Sequence, residues 1–171
     1  MKLKSIGSIF KSLNEAGVKY LLAGGLAVVA HGYMRFTADV DLILGMDEKN
    51  LINAMHVFES LGYVPRAPVE LGDFISYDNR CQWMEEKGLT VFSLWNPDDP
   101  ATEVDIFVEC PLDFEKAYLE GEDFDIMDGV TAKVLCLRDL ISLKSQAGRP
   151  LDLDDICKLN AIHGARQKSD G

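Results

Sequence analysis

The segment Asp39-Val40-Asp41-Leu42-Ile43-Leu44 sets two carboxylates two residues apart in a run that is otherwise apolar. Val40, Leu42 and Leu44 alternate with Asp39, Asp41 and Ile43, a pattern that predicts a β-strand. In a strand the side chains at i and i+2 project to the same face, so Asp39 and Asp41 point together. Neighbouring carboxylates repel one another unless a cation lies between them. This strand therefore favours folds that bring further oxygen donors, and a cation, to its acidic face.

Two other segments supply what such a face needs. Gly24-Gly25 stands between the apolar run Val18–Leu22 and the helix-forming stretch Leu26–His31. Glycines at the start of a helix let a ligand approach the backbone closely, and the free N–H groups there favour phosphate. Val104-Asp105-Ile106, on a later strand, offers a third carboxylate. Hard oxygen donors of this kind select Mg²⁺ or Mn²⁺. Three carboxylates beside a phosphate-binding turn are what a two-metal phosphoryl-transfer site requires. A Gly-Gly pair alone is usually a turn, and an isolated Asp-x-Asp is usually a solvated strand face. The combination in this order is far more specific, and it predicts that Asp39, Asp41 and Asp105 converge to within a few ångströms.

Elsewhere the periodicity predicts helices over Ser5–Ala16, Glu48–Leu61, Phe114–Leu119, Leu137–Ala147 and Leu153–Ile162, the last with Asp152 as its N-cap. It predicts strands over Leu89–Trp95 and Thr102–Glu109, joined as an antiparallel hairpin through Asn96–Pro100, and over Phe124–Met127 and Val130–Leu135, around Asp128-Gly129. Residues 65–88 read as a loop with one helical turn near Arg80–Glu86. The order describes an α+β domain with a mixed β-sheet and flanking helices: a core over 1–136, a short C-terminal helical cap over 137–163 and a flexible tail over 164–171.

The 171 residues suit one domain. Seventeen basic against 28 acidic residues give a net charge of −11, which disfavours coating of a polynucleotide by bulk charge. Five of six charges in residues 1–35 are basic, residues 103–128 hold ten acids against Lys116, and residues 133–168 hold seven basic residues against four acids. The two ends are thus placed to attract a nucleotide polyanion. No apolar run reaches the roughly 20 residues of a membrane span, and the start of the chain lacks a secretion-signal core; the expectation is a cytoplasmic protein without a membrane partner. Cys81, Cys110, Cys136 and Cys157 form no C-x-x-C pair, and His31, His56 and His163 no ligand-spaced pair.

The pattern resembles the nucleotidyltransferase superfamily that includes DNA polymerase β and the small antibiotic-modifying nucleotidyltransferases. Ala23-Gly24-Gly25, a gap of thirteen residues, Asp39-Val40-Asp41-Leu42 and the later Asp105 match its motif. The gap is at the upper limit for that family. Arg35-Phe36-Thr37-Ala38 before Asp39 is similar to the Arg-x-Thr-x-Asp-x-Asp segment of many bacterial members. Asp139–Lys144, then Gly148-Arg149-Pro150, Asp152 and Asp155, resembles the helical tail of small bacterial nucleotidyltransferases and of toxins of the abortive-infection type.

The resemblance implies a nucleotidyltransferase-like fold and a Mg²⁺- or Mn²⁺-dependent enzyme that moves a nucleoside monophosphate from a nucleoside triphosphate such as ATP to a hydroxyl, releasing pyrophosphate. It implies that Asp39, Asp41 and Asp105 are catalytic and metal-binding. Gly24, Gly25, Arg35, Thr37, Lys144, Arg149 and Asp152 would then surround the nucleotide, with Lys144 and Arg149 neutralising phosphate charge. The acceptor stays open: an RNA 3′ end or a protein hydroxyl for a toxin with an antitoxin partner, or a small hydroxylated molecule of the aminoglycoside or lincosamide kind. A non-catalytic nucleotide- or partner-binding module on the same fold is the competing expectation.

Overall fold

The computed structural model describes residues 3–169. Helix α1, Leu3–Glu15, turns its stripe of Ile6, Ile9, Phe10 and Leu13 fully inward, as its spacing predicts. Strand β1, Tyr20–Leu22, is buried along its whole length. The buried side chain of Asn50 fixes where it starts. Its Oδ1 accepts from the Lys19 amide at 2.7 Å, and its Nδ2 donates to the carbonyls of Lys19 and Gly45. Helix α2 spans Gly24–Ala30, and β2 spans Asp39–Leu44, as expected. Helix α3, Glu48–Ser60, is capped by Asp47, whose carboxylate accepts from the Asn50 amide.

A seven-stranded mixed sheet runs in the order β3-β4-β5-β2-β1-β7-β6. Its remaining strands are β3 (Val64–Pro65), β4 (Val91–Asn96), β5 (Asp99–Phe107), β6 (Glu122–Met127) and β7 (Val130–Val134). The two expected hairpins, β4–β5 and β6–β7, are both antiparallel. Strand β2 lies between β1, antiparallel, and β5, parallel. A central strand has both faces covered. Val40, Leu42 and Leu44 are buried on one face, and Ile43 is buried on the face that carries Asp39 and Asp41.

Residues 65–88 differ from expectation. A 3-10 helix, Leu71–Ile75, is followed by α4, Tyr77–Lys87, which has three turns rather than one. Ser76 caps its first turn by accepting from the Asn79 amide, and Gly88 ends it at φ 61°. The pattern hides this helix because its buried positions are Arg80 and Trp83 rather than aliphatic. Trp83 stacks on Phe92, which stacks on Phe74, so aromatic rings carry the contact with the sheet.

Helix α5 covers Phe114–Glu120, and the C-terminal cap consists of α6, Leu137–Ala147, and α7, Pro150–Ser169. Helix α7 begins three residues earlier than its apolar spacing predicts, because proline is tolerated at a first helical position. Asp152 is therefore not its N-cap but lies inside its first turn. Helix α7 also continues past Gly164 to Ser169, where the sequence suggests a flexible tail. No helix among the described residues is long and apolar enough to cross a membrane.

Candidate active site

The parallel pairing of β2 with β5 sets Asp41 directly opposite Asp105, and Asp39 opposite Glu103. Asp39, Asp41 and Asp105 therefore share one face of the sheet. The glycine turn meets them there. Gly24 has φ 56°, and a Cβ on it would overlap the Asp41 carboxylate. The Gly25 amide donates to that carboxylate. On the other side of Gly25 a Cβ would overlap Thr37 Oγ1 and fall 2.9 Å from Arg35 Nη2. Both glycines are thus required by close approach, and the approaching groups are the side chains of Asp41, Thr37 and Arg35.

The charge of this face is visible in its proton affinities. Burial, the facing Asp105 carboxylate and Asp39 push Asp41 up to about 6, against a smaller opposing effect of the Gly25 amide and Lys144. Burial and Asp105 also raise Asp39. Asp105 Oδ1 accepts from Ser93 Oγ at 2.5 Å. Ser93 stands opposite it on β4.

The C-terminal helices close the site with a buried ionic chain. Lys144 Nζ, on α6, donates to Asp155 Oδ2 at 2.7 Å and to Asp152 Oδ1 at 3.0 Å, both on α7. Arg35 reaches the same Asp155, with Nη2 donating to Oδ2 at 3.1 Å and Nε 2.8 Å from Oδ1. Arg149 Nε donates to Asp152 Oδ2 at 2.7 Å. Burial opposes ionisation of Asp152, but hydrogen bonds from Arg149 and Lys144 outweigh it and hold its carboxyl below the usual range. Lys144, Asp152 and Asp155 are buried, whereas the Arg149 side chain is 76% exposed.

All ten residues singled out from the sequence meet in one neighbourhood, but three expectations change. The donor atoms of Asp39, Asp41 and Asp105 do not all fall within 4.8 Å of one another, a limit met among the described residues by Glu120, Cys136 and Asp139. Like charges repel, and Asp41 and Asp105 each turn to a local donor, the Gly25 amide and Ser93. The Glu120–Asp139 group is already neutralised by Arg138, which pairs with both acids. Lys144, expected to face phosphate, is committed to two carboxylates. Asp152, expected beside the nucleotide, accepts from Lys144 and Arg149. Sequence reasoning placed Asp155 in the tail motif without giving it a role at the site, and it left out Ser93. Asp155 is three positions from Asp152, a spacing that puts both on one helical face; Ser93 carries no such signal.

The carboxylate face fits a divalent cation. Its donors are hard oxygens, with no thiolate or imidazole among them, and Asp41 is raised first by burial and then by the neighbouring Asp105 and Asp39 carboxylates, a repulsion that a cation would relieve.

No protein-family model matches the chain, and no curated protein is a significant match. Solved structures do match. The lincomycin-bound crystal structure of the lincosamide antibiotic adenylyltransferase LnuA superposes with a TM-score of 0.61 at 16% identity, over 93% of this chain and 96% of its own. The antibiotic-modifying nucleotidyltransferase ANT(2″)-Ia, in complex with adenylyl-2″-tobramycin, gives 0.60 at 14% identity, over 96% and 91%. Protein TM1012 of Thermotoga maritima gives 0.57 at 17%, over 91% and 90%. The chain has the fold of the nucleotidyltransferases, with the mixed sheet expected of it.

Proposed function

We propose that the protein is a divalent-metal-dependent nucleotidyltransferase that transfers a nucleoside monophosphate from a nucleoside triphosphate to the hydroxyl of a small molecule. The observation that carries this reading is the register that sets Asp41 opposite Asp105, with Asp39 on the same face and Gly24-Gly25 against Asp41.

Asp39, Asp41 and Asp105 would hold Mg²⁺ or Mn²⁺, which when bound supplies charge neutralisation of the triphosphate and of the leaving pyrophosphate. The triphosphate would lie along Gly24-Gly25 at the start of α2, with Arg35 and Arg149 supplying positive charge. Asp155 and Asp152 hold those two guanidinium groups in place. The acceptor comes from the β5–β4 side of the sheet. Its hydroxyl oxygen forms a bond to the α-phosphorus as the bond from that phosphorus to the bridging oxygen breaks. Asp105 takes the hydroxyl proton, its orientation held by Ser93. Positioning and charge stabilisation carry the rate, without a covalent enzyme intermediate.

Two observations favour a small acceptor over an RNA end. This chain spans nearly the whole length of two antibiotic-modifying structures, whose bound molecules are lincomycin and an adenylylated tobramycin. Beyond Asp105, moreover, the open face presents carboxylates and one aromatic platform. Trp95 stands opposite Glu103, and Arg66 lies over its ring and pairs with Glu103. The test is label transfer from α-labelled nucleoside triphosphates to a panel of hydroxylated antibiotics, total RNA and protein. Labelled small-molecule product that needs Mg²⁺ and Asp41 is expected. Label on RNA or protein alone would overturn the acceptor, and no transfer with any acceptor would overturn the enzyme reading.

A further inference from the structure

A well-formed cleft lies apart from the carboxylate face. It has a volume of about 770 Å³, within the span of small-molecule sites. It lies beyond the far ends of β2 and β5, between α3 and the segment that holds the 3-10 helix and α4. None of Asp39, Asp41 or Asp105 lines it. Val108, which does, is three residues past Asp105, just beyond the end of β5.

Its wall is largely apolar, with Ser76, Tyr77, Arg80 and Cys110 within it and Glu48 and Glu109 at its mouth. Met46, Ile52, Ile75, Met84 and Val108 supply the apolar surface, and Arg80 stands among them at 6% exposure. The guanidinium is held firmly. Nη1 donates to the carbonyls of Phe74 and Ile75 at 2.6 and 2.9 Å, and the group lies over the rings of Phe74 and Tyr77. These contacts fix its direction without cancelling its charge. Among the described residues no carboxylate pairs with it, and Nε and Nη2 make no hydrogen bond yet are not sealed from solvent. A buried cation without a counter-ion is costly, and burial already draws Arg80 below the usual arginine range. Capping two carbonyls alone would not need a permanent charge. At the mouth, Glu48 and Glu109 are exposed and make no ion pair among the described residues.

We propose that this cleft is a second ligand site, which takes a small organic carboxylate with an apolar body. The carboxylate meets Nε and Nη2 of Arg80, a geometry in which a guanidinium pairs with a carboxylate through two parallel hydrogen bonds. The body lies on the methionine and isoleucine surface. A cationic far end, where the ligand has one, meets Glu48 and Glu109. This inference does not rest on the nucleotidyltransferase reading, since it uses none of those residues.

Hexanoate, its ω-amino analogue and hexylamine separate the contributions when each is titrated into the full chain by calorimetry and amide NMR. Hexanoate should bind saturably at millimolar concentration, the amino acid at least as tightly, and hexylamine not at all. Gly72 lines the cleft with no atom within 4 Å of where a Cβ would stand, and its φ is not positive. Gly72→Leu should therefore fill the space, keep the melting temperature and weaken both acids at least tenfold. Arg80→Gln should do the same to the acids. Equal binding of hexylamine and hexanoate, no saturable binding of either acid, or unchanged binding in Gly72→Leu would each overturn the proposal.

Discussion

Lys144 Nζ lies 2.7 Å from Asp155 Oδ2, and both groups are almost wholly removed from solvent. Asp155 also receives Arg35, so one carboxylate ties the loop before β2 to both C-terminal helices. Removing one partner of a buried pair leaves an uncompensated charge, which costs about 3–5 kcal/mol. Asp155→Ala is expected to lose about that much stability in chemical denaturation. Arg149→Ala, which removes a largely exposed partner, is expected to lose about 1 kcal/mol or less while impairing nucleotide use. Equal losses would contradict this ranking.

Asp41 is held above its ordinary range by burial and by Asp105. Its folded value, about 6, exceeds the unfolded one, so its favourable contribution is complete below about pH 4 and is lost as pH rises through 6. At neutral pH Asp41 therefore opposes folding. Asp41→Asn keeps an acceptor for the Gly25 amide and removes the repulsion. It should melt no lower than the parent at neutral pH, gain about 1–2 kcal/mol and lose transfer activity.

The same charge predicts a linkage between cation and proton. Mg²⁺ should raise the melting temperature at pH 7.5, and the increment should shrink below pH 6 as protons compete for Asp41. In Asp41→Asn the increment should nearly vanish. An increment independent of pH and of this substitution would place the cation elsewhere.

Gly24 and Gly129 separate two costs. Both have positive φ, 56° and 75°, but a Cβ on Gly129 meets nothing within 4 Å, whereas one on Gly24 meets Asp41. Gly129→Ala should cost about 1 kcal/mol from backbone strain alone. Gly24→Ala should cost more and should also abolish activity. Calorimetric melting of the two variants, with a transfer assay, measures both terms.

Ser93→Ala frees Asp105 Oδ1 without altering the charge of the site. Its expected effect is a several-fold fall in kcat with KM for the nucleotide little changed, read from steady-state kinetics of transfer. A change in KM alone would mean that Ser93 contacts substrate instead of orienting Asp105.

Asp39 and Asp41 are legible as sharing a face because strand alternation is local, two residues of separation deciding which face a side chain takes, and the turn at Gly24 because positive φ favours glycine; that Asp105 joins them depends on the pairing of β5 with β2. Both hairpins are legible for the same local reason. Helix α4 is not, since its buried residues are an arginine and a tryptophan and no aliphatic stripe marks it. Nor is the pairing of Arg35 with Asp155, 120 positions away, or the commitment of Lys144 to two acids. Those contacts, like the cleft around Arg80, exist because helices from distant parts of the chain pack against one sheet, and the cost of burying each charge is met or left unmet only once that packing is complete.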